Sequence, residues 1–315
     1  MKRIRWIVIF GLLLLATPVM QAQDFLKKAK NYLDAGECEK ARMAYDAYKV
    51  ENPSGNAVVE RRIKECESQR SGSQTSATKL PKVQKPIDGQ PCSNAATVTD
   101  IDGNTYNTVQ IGKQCWMREN LRTTRYANGE SIPLGTNTST TTSYRYAPND
   151  NSSNVSTLGY LYSWSAVMHG ARGGRTNPSG VQGICPKGWH VPSDAEWTAL
   201  TNYVSSWSGY VCGNDKKFIA KALTSTEGWK NNDGDCVVGN NPSANNATGF
   251  SALSAGGYYG DYLDYSISGD YANFWSATEY NKRYAYYRSL SYRKADVYRY
   301  YVDKSYGYSV RCLRD

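Results

Sequence analysis

The chain has 315 residues, 40% of them hydrophobic, with 26 tyrosines, eight cysteines and a formal net charge of +9 from 37 Lys and Arg against 28 Asp and Glu. That length suits about two domains, and the basic residues are scattered instead of clustered on one element, which argues against a nucleic-acid partner. With only His169 and His190 as histidines and no Cys-x-x-Cys pair, the usual zinc site is excluded too.

Lys2, Arg3 and Arg5 precede the apolar stretch Trp6 to Ala16, and Pro18 and Ala22 follow it. Charge, apolar core and small-residue cleavage region in that order predict a secretory signal over residues 1–22. The apolar core is shorter than the ~20 residues that span a bilayer, so no transmembrane segment is expected in the mature chain. No cysteine follows the core to carry a lipid. Loss of Lys2, Arg3 and Arg5 takes the formal charge from +9 to +6. The expected location is extracellular, cell-surface or periplasmic.

In an exported chain, cysteines read as disulfides before metal ligands or nucleophiles. Cys38 with Cys66 and Cys212 with Cys236 are the expected local pairs, because each pair sits within one structural unit. Cys92, Cys115, Cys185 and Cys312 allow three connectivities, which the sequence leaves open.

After the leader, Phe25, Ala29, Tyr32 and Leu33, then Ala41, Ala44, Tyr45 and Tyr48, recur at helical spacing. Ala35-Gly36 breaks the two helices, Asn52-Pro-Ser-Gly55 ends the second, and a third is expected from about Asn56 to Glu67. Phe25, Ala29, Tyr32, Gly36, Ala41, Tyr45 and Pro53 together resemble one tetratricopeptide repeat, so residues 24–68 are read as a tetratricopeptide-like helical hairpin. Such repeats normally stack in threes or more. A Cys38–Cys66 bridge would add about 3 kcal/mol to a lone one. The unit is expected either to dock a protein partner or to act as a spacer. Residues 69–91, rich in Ser, Lys and Pro, read as a flexible linker.

From Thr97, β-branched and aromatic residues alternate around Asp102-Gly103, which predicts a hairpin. Asp100, Asp102 and Asn104 do not make a calcium loop, because Gly103 comes too early and Ile111 stands where a Glu is required. Tyr160 to Met168 reads as a short strand or helix, and Gly188-Trp-His-Val-Pro192 as a turn and short strand. The clearest helix starts at Ser193, three residues before Glu196, in a capping-box pattern, with Trp197, Leu200, Tyr203 and Val204 on one face. A second helix is expected over residues 216–224.

Thr99-Asp-Ile-Asp-Gly-Asn, Gln110-Ile-Gly, Trp116-Met with Glu119-Asn-Leu, Gly188-Trp-His-Val-Pro, Gly228-Trp, Thr248-Gly-Phe, Gly256-Gly, Trp275-Ser-Ala-Thr and Ser309-Val-Arg-Cys312 occur in one order. Together they resemble the Fibrobacter succinogenes major paralogous domain, over about Thr97 to Asp315. The resemblance implies a bacterial secreted or surface protein with a C-type-lectin-like fold related to formylglycine-generating enzymes, and it implies no assigned activity. The expected fold class is α+β: short twisted antiparallel strands, one or two helices and long loops over residues 92–315, behind the small all-α hairpin.

The related enzymes carry a catalytic cysteine pair on an aromatic, arginine-rich segment. The matching stretch, Tyr286 to Tyr301, has no cysteine, so no thiolate is available as nucleophile or ligand and no catalytic residue is assigned. Trp275-Ser-Ala-Thr-Glu-Tyr lacks the polar residues of a lectin calcium loop, so no calcium or other cofactor is expected. His190 reads as a packed structural residue and His169 as a solvated loop residue. Asp261, Asp264 and Asp270 are candidates for a carboxylate pair only if a loop brings two of them within about 5–9.5 Å.

Tyrosine is the stronger clue. Tyr258, Tyr259, Tyr262, Tyr265, Tyr271 and the run from Tyr284 to Tyr308 exceed the needs of a core, and Arg283, Arg288, Arg293 and Arg299 are expected at or near the surface among them. Tyr and Arg dominate binding hot spots. The candidate ligand contacts are therefore Tyr284, Tyr286, Arg288, Tyr292, Arg293, Tyr298 and Arg299. The resulting expectation is a noncatalytic exported protein that recognises a glycan or protein. The alternative is a structural component of a surface appendage or envelope assembly, and a hydrolase or thiol enzyme is third.

Overall fold

The computed structural model describes residues 18–52, 54–72, 88–174, 176–260, 265–266 and 268–315. Most of the expected leader, the middle of the expected linker, Pro53, Asp261, Tyr262 and Asp264 lie outside the described residues. The chain divides into two compact units between residues 83 and 84.

The first unit is three helices, α1 (Pro18–Asp34), α2 (Cys38–Glu51) and α3 (Ala57–Gly72). Helix α1 begins inside the segment expected as the leader. Leu26, Ala29 and Leu33, Ala41, Tyr45 and Tyr48, and Val59 and Ile63 form its core, one set from each helix, as their i, i+3, i+4 and i+7 spacing requires. Gly36, at φ +72°, takes the left-handed turn between α1 and α2. The Tyr45 hydroxyl accepts from Asn56 N at 2.5 Å and donates to Asn56 O at 2.8 Å, which fixes the start of α3. The Cys38–Cys66 disulfide and a two-pronged Arg42–Glu67 bond at 3.1 and 2.8 Å tie α2 to α3.

The second unit contains, in chain order, β1 (Thr97–Thr99), β2 (Thr105–Ile111), β3 (Gln114–Met117), β4 (Arg145–Tyr146), α4 (Val155–Leu158), β5 (Leu161–Ser163), α5 (Trp164–Met168), β6 (Trp189–His190), α6 (Asp194–Ser205), α7 (Ala220–Leu223), β7 (Gly257–Tyr258), β8 (Tyr265–Ser266), β9 (Tyr271–Glu279), β10 (Tyr284–Ser291), β11 (Tyr298–Asp303), β12 (Gly307–Tyr308) and β13 (Leu313–Arg314). They form three antiparallel sheets in the orders β1-β2-β3-β13-β6, β11-β10-β9 and β4-β5-β12-β7-β8. With a few short helices packed among them, the class is α+β.

The unit reaches upstream of the expected start at residue 92. The Asp88 carboxylate accepts from the hydroxyls of Tyr203 and Tyr210 and from Gly112 N, and Gly89 and Gln90 exchange backbone bonds with Gln110. The helix expected over residues 216–224 shortens to α7 because Ala220 N, which a helix from residue 216 would bond to the Lys216 carbonyl, bonds Ala295 O instead.

Two large cores fill the unit beside a smaller cluster of Tyr146, Leu161, Ala255 and Tyr258. Trp116, Trp197, Phe250 and Phe274 centre one, and Tyr106, Trp164, Trp189, Trp275 and Tyr308 the other. The indoles of Trp164, Trp197 and Trp275 donate to Ser276 O, Trp275 O and Tyr162 O at 2.9, 3.2 and 2.7 Å, so no buried indole of this trio lacks an acceptor. Tyr106, Tyr126, Tyr146, Tyr162 and Tyr308 are fully buried. Many tyrosines are therefore core material.

The eight cysteines form four disulfides. Cys38–Cys66 and Cys212–Cys236 are the pairs expected within single structural units, and the open connectivity resolves as Cys92–Cys115 and Cys185–Cys312. The last, spanning 127 residues, fixes the segment before β13. Next to it, Arg311 has no exposed surface. Its guanidinium donates to Asn120 Oδ1, Met117 O, Phe250 O and Ser251 O at 2.8, 3.2, 2.6 and 2.7 Å and lies 4.8 and 5.6 Å from the ring centres of Phe250 and Phe274. Burial lowers its pKa to about 9, which leaves it charged at neutral pH. Replacing it with Met fills the volume but leaves four buried acceptors bare. Arg311→Met is expected to cost about 3 kcal/mol or more, read as a lower urea midpoint at unchanged slope.

Candidate functional site

Strands β10 and β11 place Tyr284, Tyr286 and Arg288 opposite Asp303, Tyr301 and Arg299, and directly opposed residues share one face of a sheet. Tyr287, Ser289, Tyr298 and Tyr300 stem from the other face. The seven expected contact residues therefore do not form one patch. Tyr284, Tyr286 and Arg299 come together. Tyr298 is 44% exposed on the far side, and Tyr292 and Arg293 lie in the β10–β11 turn, Tyr292 buried in a core with its hydroxyl taking a bond from Arg293 Nε.

Arg288 corrects the expectation of a surface position. It is 2% exposed, because it reaches under the sheet to α6. There Nη1 donates to Asp194 Oδ1 at 2.6 Å, and Nη2 donates to Asp194 O at 3.0 Å and Thr198 Oγ1 at 2.8 Å. Arg299, half exposed, grips the same carboxylate through Nε and Nη2 at 2.8 to 3.0 Å and lies 4.2 Å from the Tyr286 ring centre. Burial opposes ionisation of Asp194, but the hydrogen bonds from Arg299 and Arg288 outweigh it and hold the carboxyl below its usual range. Asp194 is available because Ser193 caps α6 in a full capping box with Glu196, which sets Asp194 in the first turn, where a carboxylate also suits the helix dipole.

Three tyrosines outside the expected set complete the face. Tyr280 and Tyr301 stack in parallel, 3.9 Å between centres at 3°, and Tyr300 stacks on Tyr301 at 4.8 Å and 10°. Tyr300 reaches across because β11 is the edge strand. The Tyr286 ring meets Tyr280 edge-on at 5.7 Å, and the neighbouring phenols of Tyr280 and Tyr300 push the Tyr301 hydroxyl pKa up. Tyr280 and Tyr300 remain 42% and 57% exposed, so the face presents wide aromatic surface. The alternation of Arg299 and Tyr301 is visible in the sequence; the part played by Tyr280 depends on the β9–β10 turn, where Tyr280 N bonds Tyr284 O. Of the other tyrosines singled out, Tyr258 is buried against Tyr146, Tyr259 packs on Tyr306 and Tyr308, and Tyr271 is exposed.

A second feature is a cleft of about 770 Å³ whose lining includes Gln110, Gln114, Trp189 and His190. His190 is buried, with Nε2 2.9 Å from Glu196 Oε1 and Nδ1 2.6 Å from Asp315 Oδ1. Burial opposes its protonation, but the two carboxylates outweigh it and raise its pKa; burial likewise opposes ionisation of Glu196, and His190 and Ser193 lower its pKa. An imidazole with both nitrogens committed to carboxylates has no lone pair for general-base work. His169 is not simply solvated, as expected of a loop histidine. It closes α5 in the left-handed region at φ 47°, its ring stacks 3.6 Å from Tyr126, and Nε2 lies 3.0 Å from Glu130 Oε2.

The Asp100 and Asp102 carboxylates are engaged by protein donors. Asp100 takes Asp102 N, Asn104 N, Asn104 Nδ2 and Tyr106 OH at 2.6 to 2.9 Å. Asp102 takes Thr123, Thr124 and Arg125, which overcome burial and lower its pKa to about 2. Asp270 Oδ1 forms an ion pair with Lys230 Nζ at 2.8 Å. Among the described residues no group of three or more His, Cys, Asp or Glu is placed to hold a metal ion.

Two outcomes follow from these geometries. Asp194→Ala leaves the buried Arg288 charge without its carboxylate and is expected to cost about 3–5 kcal/mol, whereas Arg299→Ala at the exposed end costs about 1 kcal/mol or less; urea unfolding of both variants checks the contrast. His190, with a raised folded pKa, contributes stability fully below its unfolded value of about 6.5 and loses it as pH rises through the folded value; Glu196, with a lowered one, contributes above about 4.5 and loses it on acidification. The stability gap between wild type and His190→Gln is therefore expected to be widest between about pH 4.5 and 6.5 and to shrink at alkaline pH, with a pH-independent gap counting against the ion pairs.

The matched family span begins at Val109, inside β2, and runs through all three sheets to Arg314 in β13. It covers roughly two thirds of the 315 residues. No curated protein and no solved structure matches the chain. On the strength of the family match, this chain belongs to the Fibrobacter succinogenes major domain family, Fib_succ_major.

Proposed function

We propose that the chain is an exported, noncatalytic binding protein whose family domain holds a glycan against the face built by Tyr280, Tyr284, Tyr286, Tyr300, Tyr301 and Arg299. The observation that carries this reading is the Tyr280–Tyr301–Tyr300 stack beside an arginine already locked to Asp194. Sugar rings present C–H faces that pack on aromatic rings, and a platform whose side chains are fixed before binding loses little entropy on contact. Export is supported by the leader pattern of residues 1–22 and by four disulfides, which persist in oxidising compartments. A noncatalytic role is supported by the absence of any free thiol and by the full engagement of His190. The helices of residues 24–68 serve, in this reading, as a tetratricopeptide-like docking or spacing unit on a linker of residues 69–91.

A second reading, a structural component of a surface assembly, has one observation in its favour: β11 is an edge strand carrying the exposed Tyr298 and Tyr300, and such edges pair readily with other chains. Glycan-array binding by the purified, oxidised chain separates the two. Under the first reading, saturable binding weakens about tenfold in Tyr280→Ala/Tyr300→Ala, a loss of about 1.4 kcal/mol. Array binding at wild-type strength by that variant sinks the proposed face, and a blank array together with concentration-dependent self-association supports the second reading.

A further inference from the structure

The end of the tyrosine face opens into a groove of about 590 Å³ between residues 138–140 and the β9–β10 turn. Thr138, Ser139, Thr140 and Ser305 bring hydroxyls to it, and Lys282 and Arg283 bring charge. The groove and the face are continuous. The Arg283 guanidinium lies 5.5 Å from the Tyr284 ring centre, Tyr284 pairs with Asp303 across the strands, and the Tyr284 ring lies 5.8 Å from that of Tyr301.

The charges here do not cancel. Asp303 is held by Arg283 Nε at 2.6 Å and by Ser305 N at 3.0 Å, and its side chain is only 12% exposed. Glu279 is held by the buried Lys304 at 2.7 Å. Asp194 is shared by Arg288 and Arg299. Five cations, Lys282, Arg283, Arg288, Arg299 and Lys304, thus face three carboxylates, an excess of two positive charges. The excess lies with Lys282, exposed and with no ion pair among the described residues, and with the Arg288–Arg299 pair that shares one carboxylate; Arg283, paired with Asp303, is 70% exposed beside Lys282. Each of the three carboxylates is already held by a protein cation.

We infer that this groove is the acidic-group subsite of the tyrosine face and that the ligand is a carboxylate-bearing polysaccharide, one containing uronic acid residues. The sugar rings stack on the tyrosines, their carboxylates meet Lys282 and Arg283, and their hydroxyls exchange bonds with the Ser and Thr side chains. The inference rests on the glycan reading above and narrows it from glycans in general to acidic ones. A neutral glycan would leave Lys282 desolvated without a partner, whereas an acidic one meets that charge while its sugar rings stack on the platform beside it.

The experiment is titration of the full oxidised chain with polygalacturonate, alginate and a glucuronan, each beside its carboxyl-reduced neutral form, with dextran sulfate as a second anion. The expected result is binding to at least one uronate polymer, at least tenfold weaker binding to its neutral form, weakening as salt is raised, and a further loss of at least tenfold in Lys282→Glu/Arg283→Gln. Both side chains are exposed, and an unchanged thermal melt checks that the variant folds. Equal affinity for a polymer and its carboxyl-reduced form, or binding of none of the three uronates by a chain that binds neutral glycans on the array, overturns this inference and leaves the glycan reading intact. Dextran sulfate bound as tightly as every uronate overturns the carboxylate assignment. A chain that binds no polymer and no arrayed glycan overturns both.

Discussion

A full positive charge with no exposed surface organises the family domain. Arg311 can remain charged in the core only if fixed dipoles replace its water, and the replacements come from distant parts of the chain: Asn120 and Met117 on one side, Phe250 and Ser251 on the other. Desolvating an ion costs several kcal/mol unless its donors are satisfied, so these segments must converge together or not at all. The neighbouring Cys312 is bonded to Cys185, and β13 then slots between β3 and β6. The end of the chain thereby becomes an interior strand, and the sheet that begins with β1 cannot be completed until it arrives.

The same logic, at lower cost, holds the tyrosine face. Asp194 is one carboxylate serving two guanidiniums, one buried and one half exposed. The buried Arg288 ties β10 to α6, and the half-exposed Arg299 carries that rigidity out to β11 and to the Tyr286 ring. An edge strand is ordinarily the loosest part of a sheet; this one is fastened at Arg299 to a helix whose own first turn is fixed by the Ser193–Glu196 capping box. Glu196 also faces His190, so the cap of one helix links the cleft to the aromatic face through neighbouring residues of α6. The stacked tyrosines rest on that frame, and their exposure reflects support from beneath and not disorder.

Much of the fold was legible in the sequence because its signals are local. The Asp102-Gly103 hairpin, the capping box at Ser193 and the three N-terminal helices each depend on residues within a few turns of one another, the two expected cysteine pairs each lie within one structural unit, and the motif order points to the family. Local signals misled where a distant group took over a backbone donor or a side chain: the helix over 216–224 lost its first turn to the bond from Ala220 N to Ala295 O, and His169 found Tyr126 and Glu130. The candidate site was legible only in kind. Tyr and Arg were the right residue types, but counting them along the chain could not separate Tyr300 and Tyr301, which line the face, from Tyr292, which is buried in a core.

The sequence by itself determined which elements form, because capping, turn and periodicity are properties of contiguous residues. It also determined the chemistry available: cysteines to pair, two histidines, and a surplus of tyrosine and arginine in the last third of the chain. Only the tertiary structure decided which way that chemistry points. Arg288 and Arg299 look equivalent in the chain, yet the first lies at the position that passes beneath the sheet to Asp194, 94 residues away, and the second at the rim. Strand register and the element packed on each face set a side chain's burial, and both are fixed by partners far away in the sequence.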